Sequence, residues 1–373
     1  MKPYHVGIIG FGTEGVWHAH QIEISDFFEL AGVSDIAESR KLLAQEKGIR
    51  FYNSNKALLA DPQIDVVIIA TPNNSHNELS IEALEAGKHV ICEKPAAGNC
   101  AEFEEMIEVA RKHDRVLSVY QNRRWDGDYL TVKHIMESGR IGEISRIESR
   151  IHGSRGIPKT WMRENRYEGG VLWDWGAHVI DQILALKPGK KVSYVSATMS
   201  HMTDADVEDG FTAMLIFEDG VESIVEVSTN NLIPLPRWYL TGKKGSAMIK
   251  DFRSGAELAT LVEEETEEVL AARIGTGMTK MMVPRRAEEV HKSAMPVVEE
   301  LGTYDYYRNI AEVIDGKSEP FVKLSESLRV LRFMEAVKKA AIAHETVWFE
   351  GLFFGYFFAF REKIFHILLI FLF

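Results

Sequence analysis

Gly10-Phe11-Gly12-Thr13-Glu14-Gly15 is the stretch on which the reading of this chain turns. Before it runs His5-Val6-Gly7-Ile8-Ile9, a short apolar segment of the kind buried on both faces of a parallel sheet. After it a helical stretch extends from Val16 to about Ile24. Gly-x-Gly-x-x-Gly between a strand and a helix is a phosphate-binding turn. The first glycine allows the tight bend, the second lets a pyrophosphate approach the backbone, and the third lets the helix lie close on the strand. The helix N-terminus then offers free N–H groups to the phosphates. Phe28 to Val33 reads as a second strand. Asp35 stands at its end, about 20 residues beyond the glycines, where a carboxylate holds a ribose 2′-hydroxyl. Gly10, Gly12, Thr13, Glu14, Gly15 and Asp35 are therefore candidate cofactor residues. The acid at Asp35 predicts NAD rather than NADP, because a 2′-phosphate would meet like charge.

Composition narrows the partners. The 373 residues are enough for two domains, each with its own core. A net charge of -12 and the lack of a long basic run argue against nucleic acid. The two cysteines, Cys92 and Cys100, form neither a disulfide framework nor a metal pattern, so no metal is expected. Free thiols fit a reducing cytoplasm. Met1 to His5 leads directly into the first strand, with no signal-peptide pattern. Residues 351–373 form an apolar tail split by Arg361, Glu362 and Lys363 into two short runs. Neither reaches the roughly 20 apolar residues that cross a bilayer. An interfacial anchor, an oligomer contact and an extension without function remain open for the tail, the last two favoured.

The first third alternates strand and helix, as a parallel sheet requires. Asp65 to Ala70 is a buried strand that runs into Thr71-Pro72-Asn73-Asn74-Ser75-His76. Loops at the carboxyl ends of such strands bind ligands, which makes Thr71, Pro72, Asn73 and His76 candidates. A helix from Asn77 to Ala86 follows. The strand His89 to Cys92 then leads into Glu93-Lys94-Pro95. Proline restricts the residue before it to an extended backbone, so the Lys94 side chain is aimed at the sheet's carboxyl edge. A helix over Cys100 to His113 and a strand over Val116 to Tyr120 end at Gln121-Asn122-Arg123-Arg124-Trp125-Asp126, the natural crossover to a second domain.

Asp128 to Ser138 reads as a helix, and from Glu143 the period changes to two. Strands are expected at Ile144 to Ile151, Val192 to Met202, Phe211 to Phe217, Val221 to Val227, Trp238 to Leu240, Ser246 to Ile249 and Leu258 to Val262. Short turns join most of them, which predicts a mostly antiparallel sheet. The acidic run 263–268 reads as a solvated edge. Ile274 to Pro296 reads as irregular, with helices resuming at Tyr304 to Asp315 and Ser325 to Ala343.

A second constellation lies between the long strands, in Gly169-Gly170-Val171-Leu172-Trp173-Asp174-Trp175-Gly176-Ala177-His178-Val179-Ile180-Asp181. As a helix from Leu172 it places Asp174, His178 and Asp181 at i, i+4 and i+7, on one face. Oxidising a secondary alcohol with NAD sends a hydride to the nicotinamide and the hydroxyl proton to a base. Histidine suits the base near neutral pH. A carboxylate one turn away can orient the ring or the substrate, and a lysine ammonium can stabilise a developing alkoxide. Lys94, Asp174 and His178 supply that set.

The combination of Gly10-Phe-Gly12-Thr-Glu-Gly15, Ala70-Thr71-Pro72-Asn73, Glu93-Lys94-Pro95 and Gly169-Gly170 with Asp174, His178 and Asp181 resembles the Gfo/Idh/MocA oxidoreductase family. The resemblance runs from about His5 to Phe349 and leaves the tail outside. It implies an N-terminal Rossmann domain with a doubly wound parallel sheet (residues 1–122). After it comes a C-terminal α/β domain with an open, mostly antiparallel sheet and helices on one face (123–350), which builds a homodimer or homotetramer. It implies Lys94, Asp174 and His178 as catalytic positions, with His178 the general acid/base. Glu93, Lys94, Asn122, Trp161 and Arg163 would lie near the cofactor, and Lys94, Arg124, Asp174, His178 and Asp181 near the substrate. The stretch from Tyr120 to Asp126 is similar to members acting on inositols and sugars.

The expected activity is NAD-dependent oxidation of a secondary ring hydroxyl of a sugar, glycoside or inositol. A second reading keeps the site but returns the hydride to a sugar from a bound cofactor, so that the net reaction is redox-neutral. A third is a sugar- or NAD-binding regulator without chemistry, against which Lys94 and His178 argue.

Overall fold

The structure is a computed structural model and describes residues 3–203, 206–262, 269–300 and 302–349. The acidic run 263–268 and the tail 351–373 lie outside the described residues.

The N-terminal part runs β1 (Tyr4–Ile9), α1 (Thr13–Glu23), β2 (Phe28–Ser34), α2 (Glu38–Glu46), β3 (Phe51–Tyr52), α3 (Asn55–Leu59), β4 (Val66–Ile69), α4 (His76–Glu85), β5 (His89–Cys92), α5 (Cys100–Lys112) and β6 (Leu117–Val119). The six strands are all parallel, in the order β3-β2-β1-β4-β5-β6. This is the doubly wound order, with a topological switch point between β1 and β4. β4 explains itself: Val66, Val67, Ile68 and Ile69 are all fully buried, because a central parallel strand is covered on both faces. Val66 and Ile68 join one core with Val6, Ile8 and Phe11, while Val67 and Ile69 join another with Val90 and Val119.

The remainder runs α6 (Gly127–Ser138), β7 (Ile144–His152), α7 (Ala177–Leu186), β8 (Val192–Ser200), β9 (Gly210–Phe217), β10 (Glu222–Ser228), β11 (Trp238–Gly242), β12 (Gly245–Ile249), β13 (Ala256–Leu261), a small hairpin β14 (Ala272–Ile274) and β15 (Gly277–Thr279), β16 (Val290–Met295), α8 (Tyr304–Ile314), α9 (Leu324–Ala343) and β17 (Val347–Trp348). Nine strands form one sheet in the order β16-β13-β12-β11-β7-β10-β9-β8-β17. Every pair in it is antiparallel except β7 with β10. Along β10, Ser223, Val225 and Val227 point into the core. The opposite face carries Glu222 and Glu226, which pair with Arg146, Arg150 and His152 of the neighbouring β7.

Three features depart from the sequence reading. β16 and the β14–β15 hairpin occupy the stretch expected to be irregular. β16 reads Val-His-Lys-Ser-Ala-Met and pairs only with β13, so as an edge strand it shows little apolar alternation. α8, far along the chain, returns to the first sheet: Tyr306, Tyr307, Ile310 and Ala311 complete the core around Val6, Ile8 and Phe11. The expected helix from Leu172 opens as a π-helical turn, Leu172–Gly176, before α7.

His89 generates a test of this core. Its Nδ1 accepts the Val116 N–H at 2.9 Å, and burial, then Arg115, pushes its pKa down to about 4. An unfolded histidine takes its proton near pH 6.5. Between pH 6.5 and 4 the unfolded chain therefore binds more protons than the folded one, and stability falls as pH is lowered through that window. Melting temperature followed from pH 7.5 to 4.5 should fall, and fall less steeply for His89→Asn. Parallel curves for the two proteins would contradict the assignment.

Candidate active site

The glycine turn is built as its sequence demands. Gly10 has φ 92°, a conformation that favours glycine. A side chain at Gly15 would collide with the Gly10 carbonyl oxygen, so α1 is held against the end of β1. A Cβ on Gly12 would meet nothing within 4 Å. That open space sits at the start of α1, whose cap residue supplies no side-chain hydrogen bond to the first turn. Asp35 is fixed by accepting the Phe11 N–H at 2.6 Å and the Ala37 N–H at 2.8 Å.

Gly10, Gly12 and Asp35 line one cavity of about 730 Å³, within the range of cofactor sites. Gly10, Gly12, Thr13, Glu14 and Asp35 form one wall, and Thr71, Pro72, Asn73, His76, Glu93 and Lys94 continue it. The opposite wall is a strap between β7 and α7, represented by Pro158, Trp161, Met162, Tyr167, Gly169 and Gly170, and Asp174 also lines the cavity. The strap is pinned to the first domain where Asn73 Nδ2 donates to the Glu168 carbonyl at 2.8 Å. His76 is buried with its ring nitrogens 2.7 Å from the Pro95 oxygen and 2.9 Å from the Thr71 oxygen, tying two cavity loops together. Of the candidate residues, Gly15, Asn122, Arg124, Arg163, His178 and Asp181 lie outside this lining, and Arg163 donates to the Ile157 carbonyl at 2.9 Å. The open Gly12 edge, the helix N-terminus and the Asp35 carboxylate fit a dinucleotide.

Lys94 closes β5 and meets the second domain. Its Nζ lies 2.6 Å from Asp174 Oδ1, and its backbone N–H donates to Glu93 Oε2 at 3.0 Å. Burial works against the ammonium, but Asp174 and Glu93 more than offset it and hold the Lys94 pKa above the ordinary lysine value. Burial, then Glu93, pushes the Glu14 carboxyl up.

The π turn changes the geometry expected around Asp174. Gly176 N–H donates to Val171 O at 2.8 Å, an i to i−5 bond, so the chain turns more widely than an α-helix there. Glu208 accepts the Leu172 N–H at 2.9 Å and anchors its start. Asp174 is directed to Lys94 and Asp181 to Arg124, so the three residues do not form one uniform face. Arg124 holds Asp181 through two bonds, at 2.6 and 2.8 Å, and also reaches Glu326 at 2.6 Å. His178 is 6% exposed, and its Nδ1 has no hydrogen-bond partner among the described residues. Burial, then Lys94, Arg123 and Arg237, holds its pKa well below 6.5. It is therefore a neutral imidazole able to accept a proton.

Several neighbours escaped the sequence reading. Arg123 lies over the Trp175 ring at 4.6 Å, and Trp175 packs edge-on against His178 at 5.7 Å. Arg237 is buried and paired with Asp128 at 3.0 Å, while Trp238 donates to the same carboxylate at 2.7 Å. Arg123 belongs to the Gln121–Asp126 stretch, whose two arginines, asparagine and tryptophan suit a polyhydroxylated ligand by type, whereas Asp128 and Arg237 carry no signal beyond a charge beside an apolar helix or strand pattern.

Residues 4–121 match an oxidoreductase family with an NAD-binding Rossmann fold, Gfo/Idh/MocA, and residues 129–248 match the C-terminal domain of the same family. The chain is 30% identical over 372 residues to an uncharacterized oxidoreductase of Schizosaccharomyces pombe, covering 93% of this chain and all of the relative. It is 28% identical to a scyllo-inositol 2-dehydrogenase (NADP(+)) of Bacillus subtilis, covering 92% of this chain and 96% of that enzyme. The crystal structure of an NAD-binding protein from Listeria innocua superposes with a TM-score of 0.90 at 38% identity, covering 94% of this chain and 100% of the other.

Lys94→Ala and His178→Ala should keep the wild-type circular dichroism and bind NAD, yet lose at least about a hundredfold in turnover. With His178 as the base, its depressed pKa would leave it unprotonated as pH falls through 6.5. The acid limb of kcat/KM should lie well below that value. Undiminished turnover in His178→Ala, or an acid limb at 6.5 or above, would remove histidine from this role.

Proposed function

The chain belongs to the Gfo/Idh/MocA oxidoreductase family, an NAD(P)-dependent group acting on CH–OH, and on that premise we propose that it oxidises a secondary ring hydroxyl of an inositol, sugar or glycoside. The observation that carries the reading is the Lys94–Asp174 pair at 2.6 Å in a dinucleotide-sized cavity, with His178 on the turn that follows. NAD, when bound, supplies the hydride acceptor. Gly10, Gly12, Thr13, Glu14, Gly15 and Asp35 would hold it, with Thr71, Pro72, Asn73, His76 and Trp161 along its length.

The protein's own groups divide the remaining work. Lys94 donates to the substrate oxygen and stabilises charge that develops there. Asp174 keeps that ammonium in place. His178 takes the hydroxyl proton, which its neutral state permits. Arg124 and Asp181, already bonded to one another, would offer their remaining hydrogen-bonding directions to ring hydroxyls. The inositol dehydrogenase among the relatives supports a polyol as substrate. The Asp35 carboxylate favours NAD over NADP, although that same relative is NADP-linked. The open face of the nine-stranded sheet, with its ladder of arginines and glutamates, is the surface we assign to a homodimer or homotetramer.

Purified protein should first be assayed for bound NAD(H), then screened with inositols, aldoses and glycosides for NADH absorbance. Turnover only with added NAD supports the dehydrogenase. Turnover without any added nucleotide supports the redox-neutral reading, and inactivity on all three classes would sink both. Asp35 also accepts two backbone amides, so Asp35→Ala would loosen the turn itself. Asp35→Asn is the cleaner probe: NAD affinity should fall about tenfold relative to NADP, one charge-assisted hydrogen bond. An unchanged ratio would end the argument for NAD.

A further inference from the structure

Lys94 is held from beneath as well as across the cleft. Its backbone N–H donates to Glu93 Oε2. Glu93 is 5% exposed and presents Oε1 to His18 Nε2 at 3.0 Å. On the far side of the same ring, His18 Nδ1 stands 2.6 Å from the Tyr307 hydroxyl. His18 is fully buried in α1, and Tyr307 is buried on α8, the helix that returns to the first sheet. Neither residue lines the dinucleotide cavity.

The carboxylate decides where the protons sit. A carboxylate oxygen only accepts, so His18 Nε2 carries the hydrogen and donates to Glu93. Nδ1 on the other side of the ring faces the Tyr307 hydroxyl. Burial favours the neutral acid at Glu93, but His18 and Lys94 outweigh it and hold its pKa below the usual value.

We propose that Tyr307 and His18 are positioning residues for the reaction at Lys94: Tyr307 holds the His18 ring in place, His18 keeps Glu93 oriented as a carboxylate, and Glu93 sets the backbone and charge of Lys94. The inference rests on the proposed role of Lys94. Without the Tyr307 hydroxyl, Nδ1 loses its partner in a buried site and the ring is free to turn its Nε2–H away from Glu93. A buried carboxylate deprived of that donor takes a proton more readily. Lys94 loses one of the two carboxylates that counter its burial, and its ammonium gives up a proton at lower pH. The titratable groups facing Lys94 are Glu93, Asp174, Glu14, His76 and His178. Those facing Glu93, besides Lys94 and His18, are Glu14, His76, Cys92, Tyr120, Tyr306 and Tyr307.

The test uses Tyr307→Phe, His18→Gln and His18→Leu in the full chain. Tyr307→Phe should lower kcat about ten- to hundredfold with little change in NAD affinity. Independently of turnover, acylation of Lys94 against pH, read by peptide mass spectrometry, should begin at lower pH than in the wild type. His18→Gln keeps an N–H for Glu93 and should retain more activity than His18→Leu. An unchanged acylation profile in a folded Tyr307→Phe, or equal loss in the two His18 variants, overturns the inference. Should Tyr307→Phe fail to fold, the His18 pair decides by the same profile. Should no polyol be turned over, the acylation profile still decides, so failure of the substrate reading and failure of the relay are separate results.

Discussion

The ion pair between Lys94 and Asp174 joins the two halves of the molecule at the place where their chemistry must meet. Its contribution to stability is modest: Asp174's side chain is 33% exposed, and pairs open to solvent are worth about 0–1 kcal/mol. Its role is to fix register. The carboxyl end of β5 and the turn before α7 must stand within reach of one another, and the crossover after β6 has to allow it. Within the second half, Arg124 just after the crossover is tied to Asp181 and Glu326. Burial, and after it the cations gathered near His178, hold its pKa well below 6.5.

Much of this was legible in the chain because local chemistry and global fold agree there. The Gly10–Gly15 turn has one geometry compatible with its glycines, and the β1 and β4 runs are too apolar to be anything but central strands. Lys94 and Asp174 could be singled out from spacing and residue type, and the structure brings them together. The antiparallel second sheet followed from its alternation and short turns, with boundaries shifted by only a residue or two at β9, β10 and β11.

What was not legible depended on contacts distant in sequence. The π turn at Leu172–Gly176, whose first N–H Glu208 accepts, leaves no mark on the helical period in the sequence. His18 looks like an ordinary polar residue in a helix until Glu93 and Tyr307 close around it. Arg123 and Arg124 are adjacent and identical in type. Only the fold directs one to the Trp175 ring and the other to Asp181. β16 was missed because an edge strand with polar residues on both faces shows no clear period.

The strap that covers the cavity has its two ends fastened independently, one to the last residues of β7 and the other to the turn that opens α7. Its middle is held to the nucleotide side by the Asn73 contact alone among the bonds described. Chain closure between fixed ends grows only slowly with length, about 0.6 kcal/mol for each doubling. This wall can therefore be lengthened, shortened or recomposed at little energetic cost, while Lys94 and Asp174 stay where the two sheets put them. Drift in the strap need not disturb the pair that ties the two halves together.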